Sequence, residues 1–431
     1  MIATMSSTRS TTPSTTTSIP SINAQRLWSS LMALAEIGAT HKGGVCRLAL
    51  SDLDRRARDL FCDWARDAGC TLRVDAIGNL FARRAGVDDD APAVATGSHI
   101  DTQPTGGKFD GNYGVLAGLE VLRTLNDHSI RTRAPLEVCV WTNEEGSRFV
   151  PVMMGSGVYA GAFTLEHALD AADRDGVTVR QALHAIGYAG TAPAAGSSGA
   201  PRFAAYVEAH IEQGPVLEDC GAVIGVVTGA LGQRWYDVVV TGMEAHAGPT
   251  PMNLRRDALQ AALPLMQAAD RIARDEAPHA RATVGQVLVH PNSRNTIPGR
   301  VAFSVDFRHT DDAGLARMDA ALRAAAAAVE SRGRIEVTVT PVVDFPPAPF
   351  AGQLVSRVRE AARVLGLPQR ELVSGAGHDA VYVARTAPTA MIFVPCKDGI
   401  SHNEIEDARP EHLAAGCQVL LHTLLGEAER G

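Results

Sequence analysis

The sequence predicts an α/β protein whose largely parallel central sheet, flanked by helices, is interrupted by a smaller α+β layer. Three observations carry this reading. From Asn23 to Cys220, helical stretches such as Arg55–Ala68 alternate with short apolar strands such as Ala93–Thr96 and Leu136–Trp141, the pattern of strands joined by crossover helices. Between Gly221 and about Pro341 the rhythm changes. There the order is strand (Val223–Thr228), strand (Arg234–Thr241), helix (Arg255–Arg274), strand (Thr283–Val289), strand (Val301–Arg308), helix (Ala313–Ser331) and strand (Ile335–Thr340). Two strand–helix–strand arches on one sheet make a ferredoxin-like layer. A helix at Gln353–Leu365 and a strand at Thr389–Val394 then resume the first pattern, so the small layer is an insertion. The division is residues 23–220 with 342–431 for the larger unit and 221–341 for the insert. Residues 1–22, Ser/Thr/Pro-rich and almost without apolar content, read as a disordered tail.

Composition limits the function classes. With 431 residues, 45% hydrophobic and 20% charged, the chain can bury a full core. A formal net charge of −8 offers no basic excess for nucleic acid and leaves a small molecule as the partner. No run approaches the ~20 apolar residues that span a bilayer. The Ser/Thr-rich start lacks the apolar stretch of a secretory signal, so a cytoplasmic location is expected. Seven cysteines, Cys46, Cys62, Cys70, Cys139, Cys220, Cys396 and Cys417, form neither a CxxC pair nor a disulfide scaffold and read as mostly buried free thiols.

Five short segments hold most of the unusual His, Asp and Glu content: Gly97–Asp101, Lys108–Asn112, Thr142–Gly146, Glu208–Gly214 and Gly399–Glu404. Four of them fall at a strand end or in the turn after it, where open α/β sheets gather ligands. In His99-Ile-Asp101 one residue can coordinate a metal while the other orients it. Asp110 sits in a Gly-rich stretch before an apolar helix, and its two oxygens can bridge two cations. Adjacent carboxylates at Glu144 and Glu145 repel unless a cation or proton compensates. That favours a division of labour in which one binds metal and the other takes a proton from an activated water. His210 and His402 supply the imidazoles that borderline divalent metals prefer.

The insert adds its own candidates. His246, in Gly242–Met252, is separated from the ligand segments and is suited to closing over a substrate and stabilising an oxyanion. Asn295 and Arg308 are suited to recognising a carboxylate, guanidinium pairing with it as a planar fork. His378, between glycines and Asp379, is left without a role.

The segments Gly97–Asp101, Asp110–Gly114, Asn143–Gly146, His210–Gly214, Glu244–Met252 and Ser401–Glu404 together resemble the amidase, hydantoinase/carbamoylase family of dinuclear metallopeptidase-like hydrolases. The resemblance runs from about Asn23 to the C-terminus. It implies a metallopeptidase-like catalytic domain with a mixed sheet and an inserted lid that also dimerises. It further implies two divalent ions (Zn, Mn, Co or Ni), one held by His99, Asp110 and His210, the other by Asp110, Glu145 and His402. Glu144 would be the base, with Asp101 and His246 completing the catalytic set. Gln213, His246, Asn295, Arg308 and the Gly377 backbone would contact substrate, His246 reaching over from the second subunit of a homodimer. The implied reaction is hydrolysis of the ureido C–N bond of an N-carbamoyl-L-amino acid to the amino acid, carbon dioxide and ammonia. Allantoate amidohydrolase and β-ureidopropionase are the near alternatives; an aminoacylase, a dipeptidase or an inactive binding protein are the distant ones. His210 stands where the related peptidases carry a carboxylate, which argues against a plain dipeptidase.

Overall fold

The structure, a computed structural model, describes residues 19–194 and 202–430. Four parallel strands form the middle of a nine-stranded mixed sheet, in the order Leu136–Trp141, Val94–His99, Ala205–Ile211 and Thr389–Val394. Each is buried along its whole length. A strand covered on both faces reads as a largely apolar run, and Leu136–Trp141 is legible in the sequence although it carries one charged residue, the buried Glu137, which pairs with Arg83 and Arg73. Antiparallel strands Leu80–Arg84 and Thr71–Val74 extend the sheet on one side and Ile224–Ala230 on the other. Helices Ala24–Ala35, Asn112–Asp127, Gly352–Val364 and Pro410–Ala428 pack on one another and on the central strands. Because the four central strands are parallel, their carboxyl ends share one edge.

The second sheet runs Val287–His290, Arg300–His309, Gly232–Thr241 and Glu336–Phe345, with Ala280–Thr283 also paired to Arg300–His309. The order is that of two strand–helix–strand arches on one sheet. Helices Ala258–Asp275 and Asp312–Glu330 share an apolar cluster with the sheet that includes Tyr236, Val238, Leu265, Phe303, Phe307 and Leu322. The strand Arg300–His309 alternates buried and half-buried positions, as expected for a sheet covered on one face.

Three departures from the sequence reading bear on the insert. The strand read at Val223–Thr228 is Ile224–Ala230, and it pairs with Thr389–Val394 in the large sheet, so residues 221–230 do not go with the insert. Sheet membership is a non-local pairing that local periodicity cannot report. The helix read from Arg255 starts at Ala258, because Asp257 accepts from the N–H groups of Leu259 and Gln260 and caps it there. The strand read as Thr283–Val289 is two short strands on opposite ends of Arg300–His309. Of the Ser/Thr-rich tail, residues 1–18 lie outside the described residues, and Ile22 donates its N–H to Gln418 Oε1 at 2.9 Å. All seven cysteines are free, with Cys220 exposed and Cys46 half-buried. Among the described residues no helix is long and apolar enough to cross a membrane.

Arg47 ties the first helix to the edge where the strands end. It is fully buried and donates to the carbonyls of Leu34 (3.0 Å), Ile37 (2.7 Å) and Ile100 (2.7 Å) and to Asn112 Oδ1 (2.7 Å). Burial lowers its pKa to about 10, so it stays charged at neutral pH. Arg47→Met is expected to strip a donor from four buried acceptors, of which only the Leu34 carbonyl keeps another, from Ile37 N–H, and to cost about 3–5 kcal/mol. The measurement is the urea midpoint at unchanged m-value; a midpoint equal to wild type would show that water replaces the guanidinium.

Candidate metal centre

His99 ends its strand, and its Nδ1 faces the Asp101 carbonyl oxygen at 2.9 Å. His210 does the same one strand over, with Nδ1 at 2.9 Å from the Ile211 carbonyl. A proton on Nδ1 donated to a carbonyl leaves the Nε2 lone pair free to bind a cation. Both Nε2 atoms face one carboxylate: His99 Nε2 is 3.8 Å and His210 Nε2 is 3.3 Å from Asp110 Oδ1, and the Gly111 N–H also approaches His210 Nε2 at 3.2 Å. The other oxygen, Asp110 Oδ2, is 3.3 Å from His402 Nε2, which is itself 3.4 Å from Glu145 Oε2. The ligand atoms of His99, Asp110 and His210 all lie within 4.8 Å of one another, and so do those of Asp110, Glu145 and His402. Asp110 is common to both groups.

Local backbone makes this approach possible. Asp110 stands just before the helix Asn112–Asp127, whose cap, Gly111, has φ 66° and would drive a Cβ into the His99 ring. Gln213 and His402 also take the left-handed region, at φ 57° and 53°. A non-glycine residue held there marks a constraint imposed by surrounding structure.

The electrostatics are those of a site built around positive charge. Burial, reinforced by Asp379, Glu145, Asp101 and Asp110, pushes the Glu144 carboxyl well above the usual range. Burial and Asp110 push Glu145 up to about 8; burial and Asp54 push Asp101 up to about 7. Burial alone would raise Asp110, but hydrogen bonds with His210 and His402 hold it well below its ordinary value. Burial disfavours the charged form of His210, yet the contact with Asp110 raises it to about 9. So many buried carboxylates need protons or cations to compensate them. Imidazole and carboxylate donors in these groupings suit a borderline divalent cation.

Other side chains hold the ligands. Gln103 donates to Glu145 through its backbone N–H (3.0 Å) and Nε2 (2.8 Å). The Asp101 carboxylate accepts from the N–H groups of Glu144 and Glu145, each at 3.3 Å, so it aims the acidic pair. Glu406 accepts from the N–H of Phe109 (2.9 Å) and Asp110 (3.2 Å) and from Ser401 Oγ (2.7 Å). Gln213 Nε2 donates to Asp110 Oδ2 at 2.9 Å. The sequence reading names Asp101 and Gln213 but misses Gln103 and Glu406, which act by bonding to loops distant in sequence.

Of the remaining candidates, Arg308 pairs with Asp306 Oδ2 at 2.9 Å and donates Nη1 to the Gly375 carbonyl at 2.6 Å. It therefore meets the turn that contains Gly377. His246 and Asn295 are exposed and lie together on the short ladder of Ala245–His246 and Thr296–Ile297. Among the described residues no hydrogen bond joins either to the His/Asp cluster. His378 packs edge-on against the His210 ring at 4.5 Å and shares a hydrogen bond with Ser374 Oγ at 3.0 Å. Burial holds its pKa well down, so a neutral imidazole backs His210.

Imidazoles and carboxylates gathered at the carboxyl edge of a mixed sheet define a metal-dependent hydrolase, and the chain belongs to the peptidase family M20/M25/M40, whose family model matches residues 95–426. It is 47% identical over 408 residues to an N-carbamoyl-L-amino-acid amidohydrolase of Rhizobium meliloti, covering 95% of this chain and 97% of that one. An allantoate amidohydrolase of Bacillus subtilis (strain 168) is 35% identical over 393 residues, covering 91% and 94%. The crystal structure of an amidase of the hydantoinase/carbamoylase family from Burkholderia multivorans matches at a TM-score of 0.93 and 57% identity, covering 95% of this chain and 99% of that one. The family resemblance and the fold class read from the sequence are both borne out.

Proposed function

We propose that the chain hydrolyses the ureido C–N bond of N-carbamoyl-L-amino acids in the cytoplasm, as a homodimer that uses two divalent cations per subunit. The observation that carries the reading is Asp110, whose two oxygens each face a separate His-containing ligand group. His99, Asp110 and His210 would hold one cation and Asp110, Glu145 and His402 the other; zinc, manganese, cobalt and nickel all suit these donors. When bound, such cations supply Lewis acidity and lower the pKa of water. Glu144, its Oε2 3.5 Å from His99 Nε2, takes a proton from the attacking water and returns it to the leaving amine. Asp101 keeps Glu144 and Glu145 aimed through their backbone N–H groups. His246, brought over from a second copy, polarises the ureido carbonyl. Arg308 forks onto the substrate carboxylate, with Gln213, Asn295 and the Gly377 backbone completing its contacts. The products are the free amino acid and carbamate, which breaks down to carbon dioxide and ammonia.

Identity of 47% with the carbamoyl-amino-acid enzyme against 35% with the allantoate enzyme favours this substrate over allantoate. The test is release of ammonia and of free amino acid by metal-reconstituted protein from N-carbamoyl-L-amino acids, N-carbamoyl-β-alanine, allantoate and N-acetyl amino acids, each with a chelated control. Chelator-sensitive ammonia, greatest from an N-carbamoyl-L-amino acid, is the expected result. Turnover of N-acetyl substrates alone, or none, would sink the reading.

A further inference from the structure

Beside the ligands the chain exposes apolar surface that the fold does not use. The segment Ser147–Met153 leaves Gly146 and returns to the acidic pair: Met153 N–H donates to the Glu144 carbonyl at 2.7 Å and Met154 N–H to the Asn143 carbonyl at 3.1 Å. Asn143 Nδ2 donates in turn to the carbonyls of Phe149 (2.9 Å) and Pro151 (3.2 Å). The loop is thus pinned, with Phe149 as its buried anchor, while Val150 and Val152 remain 68% and 46% exposed. Val152 lies over Gly146, where a Cβ would run into its side chain, and this sets it beside Glu145. Met153 is buried. Its Cε and Sδ lie 3.1 and 3.3 Å from where a Cβ on Gly377 would stand, in the turn whose Gly375 carbonyl takes Arg308 Nη1. Met153 therefore spans the interval between the base and the carboxylate-binding end, with its backbone on Glu144 and its thioether on the turn beside Arg308.

We propose that Met153, with Val150 and Val152 at the rim, receives the α side chain of the substrate and selects N-carbamoyl-L-amino acids with apolar side chains. The inference rests on the ureido-hydrolase reading above. In such a substrate the α-carbon is bonded to both the carboxylate and the ureido nitrogen, so its substituent falls between Arg308 and Glu144. A thioether and two valine side chains offer dispersion contacts and no hydrogen-bond donor. Allantoate carries a second ureido group at that position and would lose hydrogen bonds to water against this wall. N-Carbamoylglycine has nothing to place there.

The experiment is kcat/KM of the metal-loaded full chain on N-carbamoyl-L-methionine, N-carbamoylglycine, N-carbamoyl-L-aspartate and allantoate. The methionine derivative is expected to exceed the glycine derivative by at least about tenfold, and to exceed aspartate and allantoate too. In Met153→Gln, which keeps the side-chain length but adds an amide, the methionine-to-glycine ratio is expected to fall at least about tenfold while the allantoate-to-glycine ratio rises. A wild-type ratio near one, a preference for aspartate or allantoate, or an unchanged ratio in the folded variant overturns the proposal and leaves the ureido-hydrolase reading intact. The wild-type ratio decides the matter even if the variant fails to fold. Absence of ammonia from every ureido substrate would instead overturn the reading on which the proposal rests.

Discussion

Glu144→Gln is expected to lower kcat by about 10²–10⁴-fold while bound metal and thermal stability stay at wild-type levels. The substitution preserves shape and removes the capacity to accept a proton. Geometry separates this role from that of the neighbouring carboxylate. Glu145 is fixed by two donors from Gln103 and faces His402, the setting of a ligand. Glu144 is fixed through its backbone, its N–H on Asp101 and its carbonyl receiving Met153 N–H, while its carboxylate approaches His99 Nε2. A side chain anchored only at its backbone can swing a proton from water to leaving group. Burial and four neighbouring carboxylates make the protonated form easy to reach, which suits a base that must also act as an acid. Metal analysis beside steady-state kinetics separates this from ligand loss. A Glu144→Gln enzyme with wild-type kcat would remove Glu144 from the chemistry, and one that loses metal would make it a ligand.

How much of this was legible in the sequence depends on whether the deciding interaction is local. The bounds predicted for Leu136–Trp141 are those observed, because burial on both faces makes five of its six residues apolar. The neighbouring strand, predicted to end at Thr96, runs on to His99. Its last residues are polar because they are partnered inside the protein, Ser98 Oγ donating to Glu208 at 2.7 Å and His99 meeting the Asp101 carbonyl. The same cause hides Glu406. Its carboxylate supports the Asp110 loop from 297 residues away, counted to Phe109, and although it stands two residues past the Gly399–Glu404 segment, local pattern does not report that bond. The grouping of the candidate ligands was legible because several His and carboxylate side chains are concentrated in short strand-end segments, and the structure brings those segments together.

Removing one side chain should test whether the two ligand groups form a single centre. Asp110→Ala is expected to bind neither cation, whereas His402→Ala should keep the one held by His99 and His210. The asymmetry follows from position. Among the described residues Asp110 is the only carboxylate shared by both groups, Oδ1 toward His99 and His210 and Oδ2 toward His402; His402 serves one group and is 52% exposed. The fold should survive both changes. The Asp110 loop is held through backbone N–H groups bonded to Glu406, so its path does not depend on the Asp110 carboxylate, although the contacts of that carboxylate with His210 and His402 are lost. The measurement is metal content per folded subunit after gel filtration, with circular dichroism to confirm the fold. Near zero for Asp110→Ala and about half the wild-type content for His402→Ala would establish a shared bridging carboxylate. Equal partial loss in both variants would mean that the two groups bind independently, and the dinuclear reading would fall with it.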